Sequence, residues 1–322
     1  MKAAVIYQPG EAESLKYTDV PTPDVKSGWS LVKVMGFGIT HSEVFTRQGK
    51  SPSVKFPRIL GIECVGVVAK STEPARLPVG QKVISMNGEM GRDFDGSYAE
   101  YVLLPNKQIE PVETKLDWAD LAAVPETYNT AYRGMLQLKL AHAKTLLVRG
   151  GTSGVGIAAL KLVKAMQPNL LVFGTSRHEE NRQEVLALGF DGFVCDHHNK
   201  LATDQHFDRI FDLVGAASAV DSLQHLTTGG IVSVTGDMGG VWTLDNFDPV
   251  TAIPNDCYMT SFASYQLYSK YLNQLFKLIE EKQIDVSPVK VFPLSQIVEA
   301  HRYLEQQKKP GKVVVLPELD HQ

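Results

Sequence analysis

Thr145–Gly156, TLLVRGGTSGVG, followed by the apolar run Ile157–Met166, is the stretch from which the fold can be read. Thr145–Val148 is β-branched and leucine-rich, as in a strand buried on both faces, and it stops at a glycine cluster. Beyond the glycines, Val155, Ala159, Leu162 and Met166 keep one helical face apolar, while Lys161 and Lys164 supply a polar stripe. Strand, tight turn and helix follow with almost no spacer. Such a unit aims unpaired N–H groups and the positive dipole end of a helix at whatever sits above the turn, and the missing side chains let a pyrophosphate approach. The expected guest is a dinucleotide held by Gly151, Thr152, Ser153, Gly154, Val155 and Gly156. Counted from Gly151, the G-x-G-x-x-G pattern keeps Gly151 and Gly156 but has Ser153 in the middle, which still donates through its backbone N–H and adds a hydroxyl.

Glycine clusters are also ordinary turn punctuation, so the context decides. A second strand, Leu170–Thr175, follows at the spacing of a βαβ unit, and its carboxyl end is where such folds read the adenosine ribose. An NAD-selective site carries Asp or Glu there, but this chain reads Gly174-Thr175-Ser176-Arg177-His178. A carboxylate would repel a 2′-phosphate. Ser176 can donate to it and Arg177 can pair with it through a planar fork of charge-assisted bonds, so NADPH is favoured over NADH. Arg182 and His178 are further candidates for the same phosphate, and a solvated loop charge remains the alternative for Arg177.

The chain has 322 residues, enough for two domains and too many for one comfortable core. A net charge of −4 with no basic block argues against a nucleic-acid footprint and leaves small molecules as the expected partners. The first residues have one lysine ahead of a short apolar run, and nowhere are there about 18 consecutive apolar residues, so neither export nor a membrane is expected and the location reads as cytoplasmic. Cys64, Cys195 and Cys257 are scattered, which suits buried thiols better than a disulfide framework or a zinc lobe.

Residues 1–120 read as short strands broken by Pro and Gly: Lys2–Tyr7, Ser30–Gly36, Gly61–Ala69, Lys82–Ser85 and Ser97–Leu104. Asp117 is an expected N-cap, and Thr130–Leu138 an expected helix at the crossing into a second domain. Residues 121–262 alternate strands and helices, adding strands at Phe190–Cys195, Phe207–Gly215, Gly230–Gly236 and Tyr258–Phe262, as in a doubly wound parallel sheet. Val214-Gly215 and Thr235-Gly236 end successive strands and are expected to line the cofactor groove. The tail has an amphipathic helix with Tyr271, Leu275, Leu278 and Ile279 on one face, an extended Val286–Phe292, a helix Leu294–Gln306 and a strand Lys312–Leu316. That tail, 263–322, is expected to complete the first domain and leave a cleft beside the nucleotide fold.

Six blocks carry a resemblance to the medium-chain dehydrogenases/reductases, and within them to the zinc-free quinone oxidoreductases related to zeta-crystallin. They are GITHSEVFTRQG from Gly38, GIECVGVV from Gly61, VGQKV from Val79, GSYAEY from Gly96, AAVPETYNTAY from Ala122 and LVRGGTSGVG from Leu147. The resemblance implies an α/β architecture with a GroES-like β-rich catalytic domain, a Rossmann doubly wound parallel-sheet domain that binds NADPH, and a homodimer. It also implies that Thr40, Phe45, Thr127 and Tyr128 border the nicotinamide and the acceptor; core packing is the alternative for Tyr128. Thr40 stands where many relatives carry Asn, and Phe45 where some carry Tyr.

Zinc enzymes of this family take their metal ligands at positions that here hold Thr40, Ile62 and Glu126, and an isoleucine cannot serve a site that needs three N, S or O donors. His41, Glu63 and Cys64 lie beside those positions, but Glu63 and Cys64 are strand neighbours pointing to opposite faces. No metal is therefore expected, and His41 is a minor candidate proton donor. Without a metal to polarise a simple carbonyl, the expected acceptor is a quinone or enone that spreads the incoming charge. An enoyl or alkenal C=C reductase and a non-catalytic, crystallin-like NADPH-binding protein are the alternatives.

Overall fold

The strand Trp29–Ile39, WSLVKVMGFGI, organises the amino-terminal part of the chain because its alternate side chains are buried along nearly its whole length. One of its edges pairs antiparallel with Glu63–Lys70. The other is shared by Tyr101–Pro105 and, from the far end of the sequence, by Val313–Val315, in a register that sets Val313 opposite Ile39. A small separate sheet has Lys2–Ile6 between Leu15–Asp19 and Arg58–Ile59. Phe37 stacks on Tyr98 at 4.8 Å between centroids, in a core that also takes in Val32, Leu104, Ile297 and Val315. The computed structural model describes every residue except Gln266, Gln307, Lys308 and Gln322. The chain divides into two compact units, one of Met1–Glu126, Ser264–Phe276 and Val286–Gln322, the other of Thr127–Ala263 and Lys277–Asp285.

In the second unit the sheet runs Lys200–Leu201, Gly192–His197, Leu171–Ser176, Thr145–Arg149, Phe207–Asp212, Leu226–Val234, Tyr258–Ser261. All neighbours are parallel except the two-residue edge strand Lys200–Leu201. Without that edge strand this is the 3-2-1-4-5-6 order of a doubly wound dinucleotide fold, with its switch point between Thr145–Arg149 and Phe207–Asp212. Leu146, Leu147 and Val148 are fully buried, as a central parallel strand requires.

Several expected boundaries shift for identifiable reasons. Ser97–Glu100 is not part of the long strand, because Ala4 donates to the Tyr98 carbonyl at 2.8 Å and Tyr98 to that of Leu60 at 3.0 Å, tying this stretch to the small sheet instead. The helix expected from Thr130 spans Pro125–Leu136, with proline at the first helical position, where its missing N–H costs nothing. Asp117 does cap, accepting from Asp120 N at 2.9 Å. Phe190 and Asp191 precede their strand, which is Gly192–His197. The strand expected at Gly230 starts at Leu226, opposite Phe207, and ends at Val234.

The helix Gly154–Met166 buries most of its circumference, Ile157, Ala158, Leu160 and Val163 included, so its apolar face is broader than the four positions read from the sequence. In Ser269–Glu281 the buried positions are Leu272, Leu275, Phe276 and Ile279, not Tyr271. Val286–Phe292 is a strand only over Lys290–Phe292, beyond Pro288, which lacks an N–H. The expected helix Leu294–Gln306 is a 3₁₀ turn, Leu294–Gln296, followed by Ile297–Glu305. Only Cys64 is a fully buried thiol, its pKa pushed up to about 12 by burial and the neighbouring Glu63 charge; Cys195 and Cys257 are half-buried.

Candidate active site

The glycine turn of the second unit is built for close approach. Gly150 takes a left-handed φ of +83° and donates to Thr175 Oγ1 at 2.9 Å, which pins the turn to the neighbouring strand. Ser153 Oγ donates to the Gly150 carbonyl at 2.7 Å and accepts from Gly156 N at 3.0 Å, so Ser153 is the N-cap of Gly154–Met166. Gly154 and Val155 lie in the first turn, where N–H groups lack intrahelical acceptors. Thr152, half-buried, completes the turn. A Cβ at Gly156 would lie 2.5 Å from the Gly150 carbonyl oxygen, and one at Gly151 would lie 3.1 Å from Gly174 Cα. The glycines thus let strand, turn and helix close on one another while the helix start keeps open donors, and this arrangement fits a pyrophosphate.

Ser176 is the last residue of the adjoining strand, and its Oγ accepts from Asn181 Nδ2 at 2.8 Å, which leaves its own proton to be donated elsewhere. Arg177 and His178 follow and are exposed. Arg182 is engaged locally: its Nε donates to Glu179 Oε1 at 2.8 Å and its guanidinium lies 4.7 Å from the Phe193 ring centre.

Val214 N and Gly215 N both donate to Asp212 Oδ1, at 2.9 and 3.0 Å. Asp212 also takes the hydroxyls of Ser218 and Ser222; burial, the largest influence, pushes its pKa up against the pull of Arg149. Thr235 N donates to the Asp212 carbonyl at 2.8 Å, and a Cβ at Gly215 would overlap the Gly236 carbonyl. The two expected groove segments, Val214-Gly215 and Thr235-Gly236, are therefore brought together. Beneath them lies Arg149, which the sequence reading passed over. It is wholly buried at the end of the central strand, with Nε and Nη2 on the two oxygens of Asp196 at 2.7 and 2.9 Å and Nη1 on Asp221 at 2.8 Å. Burial pulls its pKa down, but the Asp196 bond and the charges of Asp196, Asp212 and Asp221 outweigh that, and the guanidinium stays protonated. An arginine closing an otherwise apolar strand was the available signal.

Thr127 and Tyr128 also belong to the second unit, on Pro125–Leu136, and both are buried; the Tyr128 hydroxyl donates to the Asp285 carbonyl at 3.2 Å.

In the first unit, Thr40 caps the helix His41–Arg47 in a capping box with Glu43. Thr40 N and Oγ1 lie 2.9 and 2.5 Å from Glu43 Oε2, and Ile62 N donates to Oε1 at 3.2 Å. Phe45, half-buried on the same helix, has Lys50 Nζ 5.3 Å from its ring centre. Glu63 is fully buried and pairs with Lys312 Nζ at 2.5 Å, while its other oxygen accepts from Glu126 N at 2.8 Å. Burial would lower the Lys312 pKa, but Glu63, then Glu126 and Glu43, raise it. Among the described residues no group of three or more His, Cys, Asp or Glu is arranged to hold a metal ion. Also among the described residues, no helix is long and apolar enough to cross a membrane.

A family model described as an alcohol dehydrogenase GroES-like domain matches residues 26–114, and one described as a zinc-binding dehydrogenase matches residues 188–315. The chain belongs to the medium-chain dehydrogenase/reductase superfamily. Among its dehydrogenase/reductase relatives, the NADPH-dependent alkenal/one oxidoreductase of Arabidopsis thaliana chloroplasts is 28% identical, over 98% of this chain and 80% of the relative. The human quinone oxidoreductase is 26% identical over 98% of both chains. The solved structure of the quinone oxidoreductase from Coxiella burnetii is 26% identical with a TM-score of 0.82, covering 98% of this chain and 99% of that one. This dehydrogenase/reductase is an oxidoreductase with a GroES-like domain and a Rossmann parallel-sheet domain.

Proposed function

We propose that this chain is a zinc-independent, NADPH-dependent reductase that delivers a hydride to a quinone or another conjugated carbonyl. The observation that carries the cofactor reading is the pairing of a capped glycine turn with an acid-free strand end, where Ser176 keeps a proton to donate and Arg177 follows it, exposed. Gly151 to Gly156 would hold the pyrophosphate, Val214-Gly215 and Thr235-Gly236 would line the groove, and Thr40, Phe45, Thr127 and Tyr128 would border the nicotinamide and the acceptor. NADPH supplies the hydride; the protein's part is to bind, orient and exclude water.

The donor set supports zinc independence: positions 40, 62 and 126 offer a threonine, an isoleucine and a glutamate, and the neighbouring Glu63 is paired with Lys312. The acceptor chemistry is supported by the two relatives, one an alkenal/one oxidoreductase and the other a quinone oxidoreductase. Residues 1–120 with 263–322 would serve the acceptor and 121–262 the cofactor, in a cytoplasmic homodimer. A panel of ortho- and para-quinones and enones, read by NADPH consumption, tests the assignment. Quinone turnover supports it; turnover of enones alone selects the C=C reductase. Consumption with none of them contradicts both. Metal analysis after dialysis should find well under one zinc per chain, and light scattering should give twice the chain mass.

A further inference from the structure

We infer that Glu43 supplies, through the Thr40 hydroxyl, the proton that completes each reduction; this rests on the reading of Thr40 as a residue bordering the acceptor. Glu43 is 1% exposed, and its carboxyl group meets Thr40 N, Thr40 Oγ1 and Ile62 N. Among the described residues no lysine, arginine or histidine lies within ion-pair distance of it. The buried ammonium of Lys312 sits on Glu63, and Arg47, on the same helix as Glu43, sits on Glu305.

Both of these buried cations are thus taken, Lys312 by Glu63 and Arg47 by Glu305, and Glu43, the buried carboxyl left without an ion pair, is cheapest as the neutral acid. Burial, the largest influence on Glu43, and the Glu63 charge raise its pKa, against the Thr40 bond and Lys312. Tyr98, the other titratable group coupled to it, has its own pKa raised by burial. In the acid form the short Glu43–Thr40 bond reverses: Glu43 Oε2–H donates to Thr40 Oγ1, and the threonine proton is turned outward from a half-buried position. Ser42 N, 3.2 Å from Thr40 Oγ1, holds the hydroxyl in place.

The balance is simple. The acceptor takes the hydride, two electrons and one proton, at a conjugated carbon or carbonyl, and negative charge gathers on its oxygen. Thr40 Oγ1 gives its proton to that oxygen as a new O–H bond forms, and takes one from Glu43 as the acid O–H breaks. Glu43 is left as the carboxylate and regains a proton from water through Thr40 once product has gone. Glu43 acts through Thr40 and is a positioning and proton-supplying residue; it need not touch the acceptor.

The test uses the full chain with a quinone that the wild type reduces, and an infrared difference spectrum of wild type against Glu43→Gln without cofactor. The inference expects kcat to fall about 100-fold in Glu43→Gln and in Thr40→Val, the scale of a lost general acid, with NADPH affinity by fluorescence titration unchanged in Glu43→Gln. Thr40→Ser should restore most of the rate lost in Thr40→Val, and a protonated-carboxyl band present in the wild type at neutral pH should be missing from Glu43→Gln. A Glu43→Gln rate within twofold of wild type, or no such band, overturns it. If Glu43→Gln does not fold, a Thr40→Val rate within twofold of wild type overturns it instead. A wild type that reduces no quinone or enone would defeat the functional reading on which the relay rests, while the infrared band would still decide the state of Glu43.

Discussion

Lys312 and Glu63 meet across 249 residues of sequence, and no local pattern could have joined them. Gly38 makes room for the pair, since a Cβ there would overlap both side chains. Removing one member of a buried pair leaves the other charge stranded, so Lys312→Met should cost about 3–5 kcal/mol by urea denaturation, and adding Glu63→Gln should recover part of it. A loss below about 1 kcal/mol would show that the pair is already solvated. His301 makes a second claim. It is fully buried, bonded through Nε2 to the Tyr98 hydroxyl at 2.9 Å, and burial, with Arg47 nearby, lowers its pKa from 6.5 to about 3. Folded, the ring stays neutral; unfolded, it binds a proton below about 6.5, so its contribution is complete above that pH and is lost as pH falls toward 3. The wild type should lose unfolding free energy between pH 7 and pH 4 more steeply than His301→Gln, and equal slopes would refute the assignment. The Thr40-His41-Ser42-Glu43 capping box, by contrast, was open to a reader of the sequence, since its threonine and glutamate stand at the spacing the motif requires.

The glycine turn was the most legible segment because three independent demands coincide in it: a buried parallel strand before, a left-handed bend within, and a capped helix after. Gly156 is its tightest point. Replacing it with alanine puts a methyl group 2.5 Å from the Gly150 carbonyl oxygen and 2.8 Å from that of Gly151, so the turn must open. Gly156→Ala should cost about 1–3 kcal/mol in thermal or urea melts, and NADPH affinity should fall at least in proportion. Unchanged affinity would mean that the turn does not contact the phosphates. Strand ends were read less well than strand centres. Ser97–Glu100 has strand composition but crosses to a different sheet, as the Ala4–Tyr98, Tyr98–Leu60 and Glu100–Lys2 backbone bonds reveal. In the amphipathic helix Ser269–Glu281, Leu275 and Ile279 are buried as expected, but packing takes Leu272 and Phe276 with them and leaves Tyr271 and Leu278 half-buried.

The doubly wound parallel sheet was within reach of alternation and composition, but its strand order and the pairing of Val313–Val315 with Trp29–Ile39 were not, since alternation does not fix which strands are neighbours. The buried networks were not: Arg149 gathers Asp196 and Asp221, and Asp212 gathers Ser218 and Ser222, across spacings that carry no motif. The central claim is that an acid-free strand end with a cation beside it selects NADPH, and that the acceptor is reduced without a metal. The most direct measurement is kcat/KM for NADPH and NADH with one quinone acceptor, on dialysed wild type and on Arg177→Ala. The account predicts that the wild type prefers NADPH at least tenfold, and that Arg177→Ala loses about that factor for NADPH, the worth of a charged hydrogen bond, while NADH is unaffected. A wild type that uses NADH as well as NADPH, or an Arg177→Ala variant that keeps the preference intact, would contradict it.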